Sequence, residues 1–446
     1  FLEYLNAKTV LTRAFDIHHM LRSHLTLKFT SLAVAVALTF SVAATAQAQE
    51  TYPSWPQWGG PTRDFHVASD ALARSWPNGS PRELWRRPLG EGYSAILVDG
   101  QTLVTMYRLN DSEIIIGLNA ETGETRWEYS YDAPLVHDGY FDIWLNSAGP
   151  GPYSSPLIAD GIVYAVGVNG HFHAVDAQTG ALRWSHDLVD LFGLDDYNAF
   201  ASNAVAYEGA IILPMGGSDH GVVAFDGETG AVVWESASFP LGPGSPQLIS
   251  LDGQDQLVVW GQQEVVGLDP RDGERLWNHP HANDLGLNLS MPVWTAQQRL
   301  FISSAYNGGS RMIQLQSDRS GTTVQELWHT NRTRLHFSNA IEIGNLVIGS
   351  SGDFGPAFLT ALNSATGEEV WRERSFARAH LLYADEVIVL VDEDGELAIA
   401  SVSAGGIEVH ARTALLEENA WTPPSLVGTT LYVRDRHEIM ALDLGE

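Results

Sequence analysis

The chain has 446 residues, of which 54 are acidic and 25 are lysine or arginine, so its formal net charge is −29. Such a surface repels polyanions, which argues against nucleic acid and anionic lipid headgroups as partners. Cysteine is absent, which excludes disulfides, and no lysine lies beyond Lys28, which excludes Schiff-base catalysis in everything that follows.

The N-terminal region has the pattern of a secretory signal peptide. Met20 is a better start than Phe1, so residues 1–19 are interpreted as untranslated. Basic residues then precede the apolar run Phe29–Ala44, and small residues at Ala46 and Ala48 fit a cleavage site. We therefore predict a signal peptide over residues 20–48, cleavage near Ala48, and a periplasmic or secreted protein. The alternative is an uncleaved N-terminal anchor.

Residues 49–80 are rich in proline, tryptophan and glycine, and we interpret them as an N-terminal strap lying on the domain that follows. From residue 81 to 446 one phrase recurs at 39–57 residue intervals, as in LNAETGETRW over Leu118–Trp127. Such a period indicates a repeat architecture. The tryptophans that mark the repeats, and for which we predict a structural docking role, are Trp85, Trp127, Trp184, Trp234, Trp277, Trp328 and Trp371.

Each repeat predicts four short antiparallel strands separated by turns. Asp160-Gly161 and Asn169-Gly170 are hairpin turns, because a two-residue type I′ turn requires positive φ at both positions. Four strands per unit make a propeller blade. No Trp-Asp dipeptide occurs, which argues against a WD-type propeller, and the Gly-Gly pairs keep no period, which argues against a kelch propeller.

Counting the repeats predicts how the ring closes. Six tryptophan strands from Trp127 to Trp371, and a degraded copy with His410 in the Trp position, end seven units. The C-terminus has three further strand-like runs, but the fourth strand, which carries the Trp in other repeats, does not follow them. Trp85 lies in such a fourth strand, but the three other strands of its repeat do not precede it. Joining the two gives an all-β, eight-bladed propeller with no open sheet edge in the ring.

Candidate binding residues are those that head the first strand of each blade, since these strand ends converge around the central channel. The predicted rim consists of Tyr153, Asn203, His336, Asn339, Arg378, His380 and Trp421. The long Tyr131–Tyr153 connection would roof this rim with His137, Asp138, Tyr140 and Trp144. His171 and His173 share one strand face, but no third ligand is evident and we predict no metal site.

The phrase Ala-x-Asp-x-x-Thr-Gly-x-x-x-Trp resembles the docking motif of PQQ-type quinoprotein propellers, over about residues 53–446. Trp55-Pro56-Gln57-Trp58-Gly59-Gly60-Pro61 also resembles PQQ-like repeat proteins of the BamB-like type. The resemblance implies that the glycine makes the turn before the fourth strand and that the tryptophan wedges between blades. It also implies a cofactor face with a tryptophan floor, for which Trp421, Trp294 and Trp260 are the alternatives.

Three functions follow, because fold alone does not carry function. The first is a non-catalytic module that binds a protein or a small polar ligand at the channel face. The second is a dehydrogenase of alcohols or sugars using PQQ and Ca²⁺, although quinoprotein dehydrogenases typically carry an adjacent cysteine pair that is absent here. The third is a BamB-like role with an outer-membrane assembly partner, although BamB is a lipoprotein and the absence of cysteine predicts no lipid anchor.

Overall fold

The computed structural model describes residues 54–69, 71–134, 149–194, 200–216, 220–236, 239–319 and 321–445. Over these ranges the chain is almost entirely β-structure, with one short helix, α1 (Leu188–Phe192). No helix in this described part is long and apolar enough to cross a lipid bilayer. The predicted all-β class is therefore confirmed.

The strands form eight antiparallel sheets, the blades, whose strands we name A to D from the axis outward. Two strands precede the first complete blade: β1 (Ser54–Trp55) and β2 (Arg82–Pro88). Blade 1 consists of β3 (Leu97–Asp99), β4 (Thr102–Leu109), β5 (Ser112–Asn119) and β6 (Thr125–Asp132), and blade 2 of β7 (Leu157–Ala159), β8 (Ile162–Val166), β9 (His171–Asp176) and β10 (Leu182–Asp187). Blade 3 consists of β11 (Val205–Tyr207), β12 (Ala210–Pro214), β13 (Val222–Asp226) and β14 (Val232–Glu235), and blade 4 of β15 (Gln247–Leu251), β16 (Gln254–Trp260), β17 (Glu264–Leu268) and β18 (Arg275–Pro280).

Blade 5 consists of β19 (Val293–Trp294), β20 (Arg299–Ser304), β21 (Gly309–Asp318) and β22 (Gly321–Thr330). Blade 6 consists of β23 (Leu335–Ile343), β24 (Leu346–Ser351), β25 (Phe358–Asn363) and β26 (Glu369–Glu373), and blade 7 of β27 (Ala379–Ala384), β28 (Val387–Asp392), β29 (Glu396–Ser403) and β30 (Gly406–Ala414). Blade 8 takes its inner strands from the C-terminus, as β31 (Ser425–Val427), β32 (Thr430–Arg434) and β33 (Glu438–Asp443). Its outer strand is β2, which pairs with β33 from Arg82↔Asp443 to Pro88↔Glu438. The predicted eight blades and their closure by an N-terminal strand are confirmed.

Neighbouring blades are joined on the outside by the repeated tryptophan. In six blades its indole nitrogen donates to a carbonyl in the C–D turn of the next blade: Trp85 to Ala120 (2.9 Å), Trp127 to Ala177 (3.1 Å), Trp184 to Gly227 (2.8 Å), Trp234 to Pro270 (3.2 Å), Trp328 to Ser364 (3.0 Å) and Trp371 to Ser403 (2.8 Å). Every D strand carries a β-bulge just before this position, as between Leu182 and Trp184. A bulge re-aims the following side chain, which here turns the indole toward the next blade.

The glycine of the repeat packs against the tryptophan ring of the preceding blade. Gly180 has φ +69°, and a Cβ placed there would lie 2.6 Å from the Trp127 ring. Gly123, Gly230 and Gly273 stand in the same relation to the rings of Trp85, Trp184 and Trp234. Glycine is therefore required for two reasons: the turn has a left-handed backbone conformation, and the tryptophan ring leaves no room for a Cβ.

Two junctions depart from this pattern. Trp277 in blade 4 donates instead to Oε1 of Gln256 in its own blade (2.7 Å), and Nε2 of Gln256 donates to Thr322 of blade 5 (2.9 Å). In blade 7 the register places Ala411, not His410, after the bulge, since Ala411 pairs with Ile399 and Val409 with Ala400. The expectation that His410 occupies the Trp position is therefore wrong, and this junction has no docking indole.

A second ring of bonds joins the blades around the channel, where the A strands begin. Ser94 Oγ donates to the Ser154 carbonyl (2.6 Å), and Asn203 accepts from the Ser155 amide (2.6 Å). Asn339 both donates to and accepts from the backbone of Leu381 (2.7 and 2.9 Å). Polar residues at the strand starts therefore hold the inner edges of adjacent blades together.

The segment before β2 lies across the axis. β1 pairs with the end of β3, and Phe65 and Val67 bond to Tyr383 of blade 7. Arg63, which is 4 % exposed, donates to the carbonyls of Pro246 (2.8 Å) and Ala204 (3.4 Å), which precede the A strands of blades 4 and 3. The segment therefore bonds to blades 1 and 7 near the ends of their A strands, and the Arg63 side chain reaches the residues that precede the A strands of blades 3 and 4.

We expect Trp85→Ala to lower the free energy of unfolding by about 3–5 kcal/mol, because it removes a buried indole from the junction that closes the ring. The matched control is Leu84→Ala on the same strand, whose side chain is 36 % exposed. Urea denaturation of both variants measures the difference. Similar small losses for both would contradict a closing role for Trp85.

We expect Gly180→Ala to destabilise the protein more than Gly161→Ala. Both positions have positive φ, +69° and +76°, but only at Gly180 would the added Cβ meet a tryptophan. Overpacking typically costs about 1–3 kcal/mol, which is the difference expected in urea denaturation. Equal effects would show that backbone strain alone determines the cost of alanine at these positions, and that contact with the tryptophan ring adds nothing.

Candidate functional site

The two faces of the ring differ in their loops. The A–B and C–D turns form what we call the lower face, which the residue 54–74 segment closes at the axis. The B–C turns and the connections between blades form the upper face. Four exposed large apolar side chains lie in upper-face loops or at their edges: Leu109 (56 %), Leu191 (48 %), Leu285 (45 %) and Phe354 (75 %).

The predicted roof residues His137, Asp138, Tyr140 and Trp144 lie outside the described residues. The stem of their connection is firmly held on the upper face. Arg108 donates to the Ala133 carbonyl (2.6 Å), and Asn169 donates to the Pro134 carbonyl (2.7 Å). Arg108 also pairs with Glu113 at 3.0 Å in a buried ion pair, and burial raises the pKa of Glu113 above its ordinary value.

Four predicted rim residues come together at the mouth of the channel, around Phe337. The Phe337 ring lies 5.1 Å from those of His336 and Trp421, and 6.2 Å from that of His380. The Arg378 guanidinium lies 4.8 Å from the Phe337 ring centroid. Convergence of the strand starts therefore brings His336, Arg378, His380 and Trp421 into one cluster.

Arg378 is already occupied within this cluster. Its guanidinium pairs with Oε2 of Glu393 at 3.1 Å and donates to the Asp353 carbonyl at 2.6 Å. The same Glu393 oxygen accepts from the Trp421 indole at 3.1 Å. Because Glu393 balances the cationic charge of Arg378, this side chain is not a free cation for an anionic ligand.

The two histidines of the cluster are buried and neutral. Burial, assisted by Arg378, lowers the pKa of His336 to about 3, and its Nε2 bonds the Tyr306 hydroxyl. Burial lowers the pKa of His380 to about 4, opposed in part by the Trp421 backbone. They therefore remain uncharged at neutral pH and add no positive charge to the mouth.

The remaining rim residues have separate places. Asn203 and Asn339 belong to the inner ring of bonds, where both amide groups are used. Tyr153 is linked to the cluster by Tyr93, whose ring lies 6.4 Å from that of Tyr153 and 5.1 Å from that of Trp421. Of the alternative floors, Trp260 is fully buried and donates to the Ser290 carbonyl at 2.7 Å, whereas Trp421 alone lies in the cluster.

Sequence reasoning missed Glu393, Asp353, Tyr306 and Tyr93. The first three lie in B–C turns, whereas the predicted site residues lie at strand starts and in one long connection. The signal that could have found them is geometric, because B–C turns open on the same face as the connections between blades.

Comparison with known proteins gives the following similarities. The sequence profile of the family described as "Outer membrane protein assembly factor BamB" matches residues 71–237 and 195–355. BamB of Yersinia pestis is 23 % identical over 361 residues, 75 % of this chain and 81 % of that protein. The quinoprotein alcohol dehydrogenase PedH of Pseudomonas putida is 29 % identical over 154 residues, 31 % of this chain and 25 % of that protein.

Among solved structures, BamB from Moraxella catarrhalis superposes with a TM-score of 0.58 at 17 % identity, covering 82 % of this chain and 98 % of that one. At this identity the likeness concerns the fold. Repeat phrase, blade number and family profile agree with one another, so the resemblance seen in the sequence is confirmed.

The described mouth does not fit PQQ and Ca²⁺. Calcium takes six to eight oxygen ligands, and no group of three or more acidic or histidine side chains in the described ranges is placed to hold a metal. The amides of Asn203 and Asn339 are committed to the blades, and Glu393 is committed to Arg378 and Trp421. These donors are therefore unsuited to an anionic quinone with its cation.

We expect acid to destabilise the protein partly through His380. An unfolded histidine titrates near 6.5, whereas the folded pKa is about 4, so this stability is present above 6.5 and lost as pH falls toward 4. The free energy of unfolding should fall between pH 7 and pH 5 in the wild-type protein, and in His380→Leu this fall should be smaller by about 2 kcal/mol.

Urea denaturation at the two pH values measures this, with His437→Leu at an exposed position as the control. Burial raises the pKa of Asp392 to about 6, so the protonation of Asp392 opposes the loss of stability as pH falls. The wild type and His380→Leu both contain Asp392, so its contribution cancels in the comparison. An unchanged pH dependence in His380→Leu would contradict a buried neutral imidazole.

Proposed function

This chain belongs to the family described as "Outer membrane protein assembly factor BamB", and on that premise we propose that it is a non-catalytic binding module for outer-membrane protein assembly. It would act in the periplasm after removal of residues 20–48. The partner would be another protein, bound on the upper face of the propeller.

The observation that carries this proposal is the asymmetry between the two faces. The upper face holds the long connections and the exposed side chains of Leu109, Leu191, Leu285 and Phe354. The lower face consists of short polar turns such as Asp160-Gly161 and Asp252-Gly253 around the closed axis. The other six exposed large apolar side chains of the described ranges lie on outer D strands, where Leu182 and Val232 border lower-face turns. Those within the connections and turns themselves, Leu191, Leu285 and Phe354, are all on the upper face, and such exposed apolar groups are typical of an interaction surface.

The chemistry of the mouth supports binding rather than catalysis. Its histidines are buried and neutral, and its arginine is balanced by Glu393. The similarity to PedH covers only a quarter of that dehydrogenase, so no step of alcohol oxidation is carried over. The absence of cysteine supports a protein without a lipid anchor.

We expect a photo-crosslinking residue in place of Leu285 to capture proteins that act in outer-membrane protein assembly. Leu285 is 45 % exposed on the upper face. The control is the same residue in place of Asp160, exposed on the lower face. Mass spectrometry identifies the captured proteins. Capture of the same proteins from both positions, or of none that act in assembly, would refute the proposal.

A further inference from the structure

The upper face carries a continuous row of ring side chains around the channel mouth. It begins at Phe354, passes through the cluster, and ends at Tyr153. Successive centroids are 5.1 Å apart from Phe354 through Tyr306, His336, Phe337 and Trp421 to Tyr93, and 6.4 Å apart from Tyr93 to Tyr153. We call these seven residues the aromatic row. They belong to loops and strand starts from blade 5 around to blade 2, so the row is elongated and does not close into a pocket.

The aromatic row contains both buried and accessible rings. Tyr306, His336 and Tyr93 are buried, and they support partly exposed Phe337, Trp421 and Tyr153 and the 75 % exposed Phe354. Rings backed by other rings offer apolar surface without needing to rearrange. Aromatic side chains in such settings are the commonest energetic centres of protein interfaces.

The backbone next to the exposed Phe354 ring is anchored. The preceding residue, Asp353, uses three oxygens: Oδ1 accepts from the Tyr306 amide (3.2 Å), Oδ2 from Arg334 (2.8 Å), and the carbonyl from Arg378 (2.6 Å). The Tyr306 ring contacts the Phe354 ring at 5.1 Å. An anchored backbone and a supporting ring reduce the conformational entropy that the Phe354 side chain loses on binding.

The charges beside the aromatic row are mostly acidic. Three arginines are each matched by a carboxylate: Arg334 with Asp353, Arg378 with Glu393, and Arg436 with Glu91. The exposed carboxylates Asp284, Asp394, Glu417 and Glu418 have no arginine or histidine within 4.0 Å in the described part of the chain, and the exposed arginines Arg332 and Arg374 have no carboxylate within that distance there. Unpaired carboxylates therefore outnumber unpaired arginines, and the charge is negative here as it is for the whole chain.

We propose that the aromatic row binds an extended, net-basic polypeptide segment that carries aromatic side chains. The inference rests on the proposed protein-binding role of the upper face and names the chemistry of the partner. An extended chain presents alternate side chains to one surface, so aromatic residues stack on the exposed rings while arginines face the rim carboxylates.

A saccharide fits the same surface less well. Sugars need accessible hydrogen-bonding side chains beside the stacking rings, and the polar groups here are either bonded within the protein or, like those ring nitrogens of His336 and His380 that lack a partner among the described residues, buried. Arg378, Glu393 and Asn339 all have partners. A second copy of this chain is disfavoured by its own charge of −29.

The test uses the full chain and a fluorescein-labelled dodecapeptide of alternating tyrosine and arginine, with binding followed by fluorescence anisotropy. Phe354→Ala should weaken binding about tenfold, the effect of losing an interface anchor. The matched control is Leu327→Ala, which truncates a 37 % exposed side chain on the outer strand β22. Glu417→Arg should also weaken binding, and the loss should shrink at high salt because screening removes the same attraction.

Peptides with glutamate in place of arginine, or with serine in place of tyrosine, should not bind. Equal affinity of Phe354→Ala and Leu327→Ala, binding of the glutamate peptide, or displacement of the dodecapeptide by a maltooligosaccharide would overturn the proposal. Failure of peptide binding leaves the crosslinking from Leu285 intact. Peptide binding without capture of assembly proteins would instead overturn the proposed function alone.

Discussion

The packing of one blade's tryptophan on the next blade's glycine is the contact on which the ring depends. It joins two consecutive repeats through one indole, one backbone carbonyl and one residue without a side chain. The β-bulge before each tryptophan aims the ring outward from its own sheet, and the positive φ of the glycine makes room for it. Six of the eight blades bond an indole to the next blade in this way, so most repeats are completed by contacts with their neighbours in the ring.

Two junctions show what happens when the contact changes. The long hairpin of β21 and β22 replaces the usual short turn, and Gln256 then relays the bond from Trp277 to blade 5. Blade 7 has Ala411 where a tryptophan is expected. There the N-terminal segment supplies other contacts, since Phe65 and Val67 bond to blade 7 and Ala73 bonds to the Leu444 carbonyl of blade 8. This N-terminal segment therefore bridges the junction that lacks a docking ring.

The inner ring of bonds explains why the mouth has few free polar groups. Serine and asparagine at the strand starts face the channel, which is where a ligand site would draw its donors. They are used to connect blades, and Arg378 and Glu393 are used to fix one loop against another. What remains accessible is apolar ring surface bordered by carboxylates, and this combination is suited to recognition by stacking and charge.

The sequence by itself determined the blade count, the closure and the docking tryptophans, because glycine, turn and tryptophan lie within ten residues of one another and repeat. It also brought His336, Arg378, His380 and Trp421 to one mouth, since they head the first strands of three successive blades. Only the tertiary structure decided that Asn203 and Asn339 bind neighbouring blades, that Glu393 balances Arg378, and that Ala411 follows the bulge. Those outcomes depend on register and on contacts between hairpins from different blades, and neither leaves a local pattern in the chain.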